Sequence, residues 1–185
     1  TYGAEGLEKI AALAVDAAGR SYVLDPDKKT VLVFDDAGRV VHRIGAEGDA
    51  AGLLKEPLDV AIGPAGLVYV LDKGRKGVQV FSLDGTFLHD ILLPLDAKDP
   101  RALGVGPSGR IYVADKELPG SLVQLPDLTA ALSAVDAPSP DAGRLALRGG
   151  NLREPVAVVG TSTGTVVAAD RESGVLWSAD GTGAT

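Results

Sequence analysis

Apolar positions along this chain fall in short runs of β-branched and aromatic residues bounded by glycine, which is strand chemistry and not the 3.6-residue spacing of a helix face. Four segments superimpose without gaps: Gly19-Arg-Ser-Tyr-Val-Leu-Asp25, Gly66-Leu-Val-Tyr-Val-Leu-Asp72, Gly109-Arg-Ile-Tyr-Val-Ala-Asp115 and Gly164-Thr-Val-Val-Ala-Ala-Asp170. Each sits in a unit that predicts four strands. The first covers residues 10–15, 58–62, 102–105 and 156–159, and a four-residue turn ending in glycine follows it. The second begins near residue 21 and its equivalents; the third covers 31–34, 78–81, 122–125 and 175–177. An aspartate-glycine turn at Asp84-Gly85 and Asp180-Gly181 announces the fourth, at 40–44 and 86–92, which is less distinct later in the chain. Four antiparallel strands recurring every ~40–50 residues are the signature of propeller blades.

The pattern resembles the NHL-repeat family of β-propellers. The second unit carries nearly all of that family's motif in Pro57, Gly66, Tyr69-Val-Leu-Asp72, Val78-Gln-Val-Phe81 and Asp84-Gly85. The third and fourth are degenerate, with Gln124-Leu125-Pro126 and Leu176-Trp177 at the end of the third strand. The resemblance implies an all-β fold of four four-stranded antiparallel blades. They would span about residues 7–48, 54–93, 98–136 and 153–185, with an insertion at about 118–151. Tyr2-Gly-Ala-Glu-Gly6 repeats Ile44-Gly-Ala-Glu-Gly48, and the last unit stops just past its Asp-Gly turn. The expectation is therefore a section of a larger or incomplete ring. Where the family often has arginine before the third strand, this chain has Thr30 and Gly77, with Lys29 and Lys76 one residue earlier.

Composition narrows function mainly by exclusion. There is no cysteine, so disulfide, zinc-thiolate and iron–sulfur chemistry are out. A formal net charge of -7 is the wrong sign for tracking phosphates. With the missing arginines, it argues against the RNA binding that the resemblance would otherwise raise. No apolar run approaches the ~20 residues of a membrane helix. The Ala/Gly/Val/Leu-rich, cysteine-free composition suits a bacterial extracytoplasmic protein, in the periplasm or associated with the cell envelope.

Four groups of residues invite a chemical reading. The repeat aspartates Asp25, Asp72, Asp115 and Asp170 read best as turn acceptors, because an aspartate ending a strand takes backbone N–H bonds from the next few residues. Three first strands are approached through a basic-acidic-proline triplet, Lys55-Glu56-Pro57, Lys98-Asp99-Pro100 and Arg153-Glu154-Pro155. At the mouth of a propeller channel, Lys55, Glu56, Lys98, Asp99, Arg153 and Glu154 would be candidates to meet a ligand or partner. The 2–3 loops add Lys73, Arg75 and Lys76 as partner-docking candidates. His42 and His89 share one outer-strand position and do not converge with other ligands. No cofactor or metal is expected. The leading reading is a non-catalytic protein-interaction or scaffold module whose partners are other protein chains or further blades. The alternative is an enzyme resembling propeller lactonases or lyases, with a divalent metal held by carboxylates such as Glu56, Asp99 and Glu154.

Overall fold

A computed structural model describes residues 7–118, 121–132, 143–148 and 152–180. The chain divides into two compact units, Thr1–Asp90 and Ile91–Thr185, and each holds two antiparallel meanders. In the first unit the strands β1 (Ala12–Val15), β2 (Ser21–Asp25), β3 (Thr30–Phe34) and β4 (Val40–Ile44) form one blade in sequence order. The strands β5 (Pro57–Gly63), β6 (Leu67–Asp72), β7 (Gly77–Ser82) and β8 (Phe87–Leu92) form the next, its last strand running just past the boundary between units.

In the second unit β9 (Pro100–Val105), β10 (Ile111–Asp115), β11 (Ser121–Leu125) and β12 (Gly143–Ala146) make the third blade. The fourth has three strands among the described residues: β13 (Pro155–Gly160), β14 (Thr165–Asp170) and β15 (Val175–Asp180). The fourth strand expected after Asp180-Gly181 lies outside the described residues, as do the repeated Tyr2–Gly6 motif and the Ala137-Pro-Ser-Pro140 part of the expected insertion.

Strands β1 and β14 show the period-2 burial of a strand with one open face. Strand β14 alternates strictly, with Val166, Ala168 and Asp170 buried and Thr165, Val167 and Ala169 half-exposed. Strands β2 and β10 are buried at every position, as a strand covered on both faces must be. Inside the first unit, β1 and β2 lie against β5. The core between them joins Tyr22, Leu24, Val31 and Val33 to Val60, Val68, Val70 and Phe81. Inside the second unit, β9 and β10 lie against β13, and Ala102, Tyr112, Ala114 and Leu122 meet Val158, Val166 and Ala168. These blades approach very closely. A Cβ on Gly104 would sit 2.4 Å from the Val158 carbonyl oxygen, so only glycine permits this contact in β9.

The third blade draws its outer strand from within the segment that the repeat pattern set aside as an insertion. A short helix, α1 (Leu128–Leu132), follows β11 and is capped by the Asp127 carboxylate, which accepts the Ala130 N–H at 2.9 Å. Strand β12 then pairs antiparallel with β11, Leu145 opposite Leu122. Leu145 is the one buried side chain of this four-residue strand, too little to give a recognisable apolar alternation.

Candidate functional site

The approach to each first strand is built around its blade's repeat aspartate. Asp72 is fully buried, and its carboxylate accepts the backbone N–H groups of Lys55 (2.8 Å), Glu56 (3.0 Å) and, from the following turn, Arg75 (3.1 Å). Asp170 accepts from Arg153 (2.6 Å), Glu154 (2.7 Å) and Ser173 (2.9 Å). Asp25 accepts from Glu8, Lys28 and Asp27, and Asp115 from Asp99 and Glu117. In three blades the approach ends in the proline that closes the triplet. Pro57, Pro100 and Pro155 stand opposite Asp72, Asp115 and Asp170 in the ladder, and a register shift lies next to each. Proline donates nothing there, and the carboxylate accepts N–H groups from the residues before it; Asp25 does the same ahead of Ile10, so the bonds do not depend on the proline.

The protonation behaviour follows from these bonds. Burial pushes the Asp170 carboxyl up, but the backbone donors of Ser173, Arg153 and Glu154 outweigh it and hold the group at about 2. Asp25 is lowered in the same way: burial opposes, and the donors of Glu8, Lys28, Lys9 and Asp27 prevail. Asp115 goes the other way. Burial raises it, and the bonds from Glu117 and Asp99 do not compensate.

The triplet side chains are engaged mostly with close neighbours. In the first unit Lys55 pairs with Asp49, and both Lys55 and Glu56 are exposed. In the second, Lys98 is exposed, Asp99 meets Arg101 at 2.5 Å, Arg153 meets Glu172 at 3.0 Å, and Glu154 meets Arg171 at 2.6 Å and Lys116 at 3.7 Å. The Arg171 hydrogen bond, chiefly, holds the Glu154 carboxyl below its usual range. The carboxylates considered as cation ligands thus face guanidinium groups at Asp99 and Glu154. Among the described residues no group of three or more acidic or histidine side chains is arranged to hold a metal.

Of the loop candidates, Lys76 is exposed and Lys73 half-exposed, whereas Arg75 is an internal clamp. Arg75 donates to the carbonyls of Asp49 and Ala50 and to Asp90 at 2.7 Å, which fastens the linker between the first two blades to β8. Buried Gln79 fastens the same linker from the other side. It accepts the Gly52 N–H at 3.0 Å and donates to the Leu53 carbonyl at 2.8 Å.

Two features were not anticipated from the residues. The first is a charged triad at the turn between β1 and β2. Buried Asp16 accepts from the Arg20 side chain at 2.7 Å and the Tyr22 hydroxyl at 3.1 Å. Burial opposes ionisation of Asp16, yet the bonds from Arg20 and Tyr22 keep it lowered, while burial and the Asp16 bond push Tyr22 up to about 12. The second is a cavity of about 310 Å³ between the β9–β10 turn and the β13–β14 turn, bordered by Ser108, Arg110 and Tyr112 on one side and Gly160, Ser162 and Thr165 on the other. The Asp-x-x-Gly-Arg spacing, present at Asp16–Arg20 and Asp35–Arg39, was the available signal for the first. The second depends on two turns far apart in sequence.

Apolar side chains also stay in solvent where a blade face would ordinarily be covered. On the fourth blade Val159 is 59% and Leu176 72% exposed, with half-exposed Val167 and Ala169 between them. On β1, Leu13 is 62% and Val15 56% exposed, opposite the face on which Ala12 and Ala14 join the core.

Residues 7–103 match a family model described as a 6-bladed beta-propeller. No curated protein is detectably similar in sequence. Among solved structures, a catalytically inactive virginiamycin B lyase from Staphylococcus aureus with quinupristin superimposes with a TM-score of 0.59 at 12% identity, over 96% of this chain and 57% of the lyase. A selenomethionine-substituted virginiamycin B lyase from the same organism gives 0.57 at 13%, over 90% and 54%. A streptogramin B lyase gives 0.60 at 12%, over 96% and 56%. The chain spans little more than half the length of these structures, and at such identities the likeness is one of fold.

Proposed function

The chain belongs to the 6-bladed β-propeller family, and on that premise we propose that it is a non-catalytic, NHL-type propeller section, a protein-interaction or scaffold module within a larger protein or complex. The observation that carries this reading is the apolar face of the fourth blade, which no described residue of its own unit covers. A blade inside a propeller is covered on both faces, as β2 and β10 are here, and an apolar face left in water marks an interaction surface or an aggregation hazard. Val159 and Leu176 are apolar where a solvent face calls for charge. Leu13 and Val15 present the same mismatch on the first blade. The occupant that fits the face of a twisted antiparallel sheet is another blade, from the same protein or from a partner chain, in keeping with a six-bladed family and the four blades among the described residues.

The lyase reading would need carboxylates open to a cation. Asp99 and Glu154 are engaged by Arg101 and by Arg171 and Lys116, which weighs against it.

The test is the mass of the 185-residue chain by light scattering across a concentration series. Self-association that Leu176→Glu suppresses, with the circular dichroism spectrum unchanged, supports an open blade face. A monodisperse monomer with a single cooperative unfolding transition, indifferent to Leu176→Glu, would refute it.

A further inference from the structure

The turn between the first two strands recurs in all four blades, and its charge is balanced in three of them. In the first blade Asp16 closes on Arg20 and Tyr22. In the second blade acid and base are lost together, Gly63 and Leu67 standing at the two positions. In the fourth they are Thr161 and Thr165, and the Thr161 hydroxyl accepts the Thr165 N–H at 3.2 Å, the bond that Asp16 makes to the Arg20 N–H. The third blade breaks the pattern. It keeps the arginine and the tyrosine as Arg110 and Tyr112, and has Gly106 where the carboxylate belongs.

The backbone of this third turn is unchanged. Gly106 N–H donates to the Arg110 carbonyl at 2.9 Å and Gly109 N–H to the Gly106 carbonyl at 2.9 Å, matching the 3.0 Å bonds of Asp16 and Gly19. Gly19 and Gly109 share a left-handed φ, +81° and +84°. Arg110 therefore stands just ahead of its strand as Arg20 does. Arg39 in the β3–β4 turn shows the same habit, its Nε donating to Asp35 at 2.8 Å. Both of those arginines fold onto the acid four residues earlier. Arg110 has no such acid, and its side chain makes no hydrogen bond or ion pair among the described residues.

The space that results is the cavity of about 310 Å³, at the small end of ligand-sized sites. Gly106 and Gly160, both on its border, meet backbone to backbone: a Cβ on Gly160 would lie 2.7 Å from the Gly106 Cα. Neither bordering turn, 106–112 or 160–165, contains an acidic residue, so Arg110 is the only formal charge they bring. Ser108 and Ser162 add hydroxyl groups at its border.

We propose that this cavity is a carboxylate-binding site, in which the carboxylate of a ligand takes the place that Asp16 fills in the first blade and is held by the Arg110 guanidinium. A guanidinium matches a carboxylate's two oxygens geometrically, and partial enclosure between the turns strengthens the bond relative to open water. The carboxylate comes from a small organic acid or from the free C-terminus of a peptide; the chemistry is shared and the sources are separable by experiment.

The experiment titrates the intact chain with acetate, succinate, N-acetyl-trialanine bearing a free carboxylate, and the same peptide as its carboxamide, followed by backbone amide chemical shifts. Saturable shifts at Gly109, Arg110 and Ser162 are expected with carboxylates and not with the carboxamide. Response to acetate and succinate identifies a small-acid site, and response to the peptide acid alone identifies a C-terminus site. Arg110→Gln should weaken binding about tenfold or more, the size of one charge-assisted bond. Gly106→Asp should abolish it with Arg110 still present, by restoring the internal acid. Its Cβ would lie 3.2 Å from a Tyr112 ring carbon, a contact that needs a small shift, so the amide spectrum is checked for a retained fold. Equal binding of acid and carboxamide, undiminished binding in folded Arg110→Gln, or no saturable response to any of the carboxylates overturns the assignment.

Discussion

Replacing Asp72 by alanine removes one carboxylate and strands three backbone donors. Lys55, Glu56 and Arg75 each give their N–H to it, at 2.8, 3.0 and 3.1 Å. Each bond contributes about 1 kcal/mol net, more where the acceptor is charged, and a buried donor left unmade costs its desolvation as well. Lys55 and Glu56 lie at an exposed approach, so water can re-satisfy part of the loss. The expected cost is therefore roughly 2–3 kcal/mol and not the ~4–5 that three charged bonds would suggest. For a chain of this size that lowers the melting temperature by roughly 5–10 °C. Asp72→Asn should cost about half as much. It keeps an oxygen for the two donors on one side and turns an N–H2 against a third donor on the other. Circular dichroism melts give the stability, and hydrogen exchange gives the location. Exchange at Lys55, Glu56 and Arg75 should accelerate, while strands β2 and β3 of the neighbouring blade stay protected. An unchanged melt with slow exchange at those three amides would mean the carboxylate does not tie the approach to the turn.

Other expected outcomes follow from the same geometry. Asp170, held at about 2, and Asp25, also lowered, add stability that is complete above the unfolded carboxylate range near 3.9 and is lost as pH falls through their folded values; a denaturation midpoint that is flat from pH 5 to pH 2 would contradict this. Asp115 is raised, so it favours the fold in its protonated form, and Asp115→Asn should be tolerated better at pH 7 than Asp170→Asn, as paired melts would show. Gly104→Ala drives a methyl into the Val158 carbonyl and should cost about 1–3 kcal/mol by forcing the third and fourth blades apart, with Trp177 fluorescence shifting as their shared core loosens. Tyr22→Phe removes only the bond to Asp16 and should cost about 1 kcal/mol in a chemical denaturation curve.

The amino-acid sequence by itself determined the strands and their turns. Each strand is a short β-branched run whose period is local, and each first turn ends in a glycine whose left-handed backbone is visible as a residue type, as at Gly19, Gly109 and Gly164. It also determined the role of the repeat aspartates, because each has a partner within three residues, such as Arg75 for Asp72 and Ser173 for Asp170. Strand β12 escaped because an outer strand with one buried side chain has no period to read. Tertiary structure alone decided which charges were free to act. Arg75 reads as a surface cation until Asp49, Ala50 and Asp90 are brought to it. Arg110 reads as a copy of Arg20 until the fold brings the 160–165 turn beside it and a cavity lies between the two turns. Periodicity and turn chemistry act between neighbours in sequence, whereas the pairing of a charge depends on which distant backbone the fold places within ~3 Å of it.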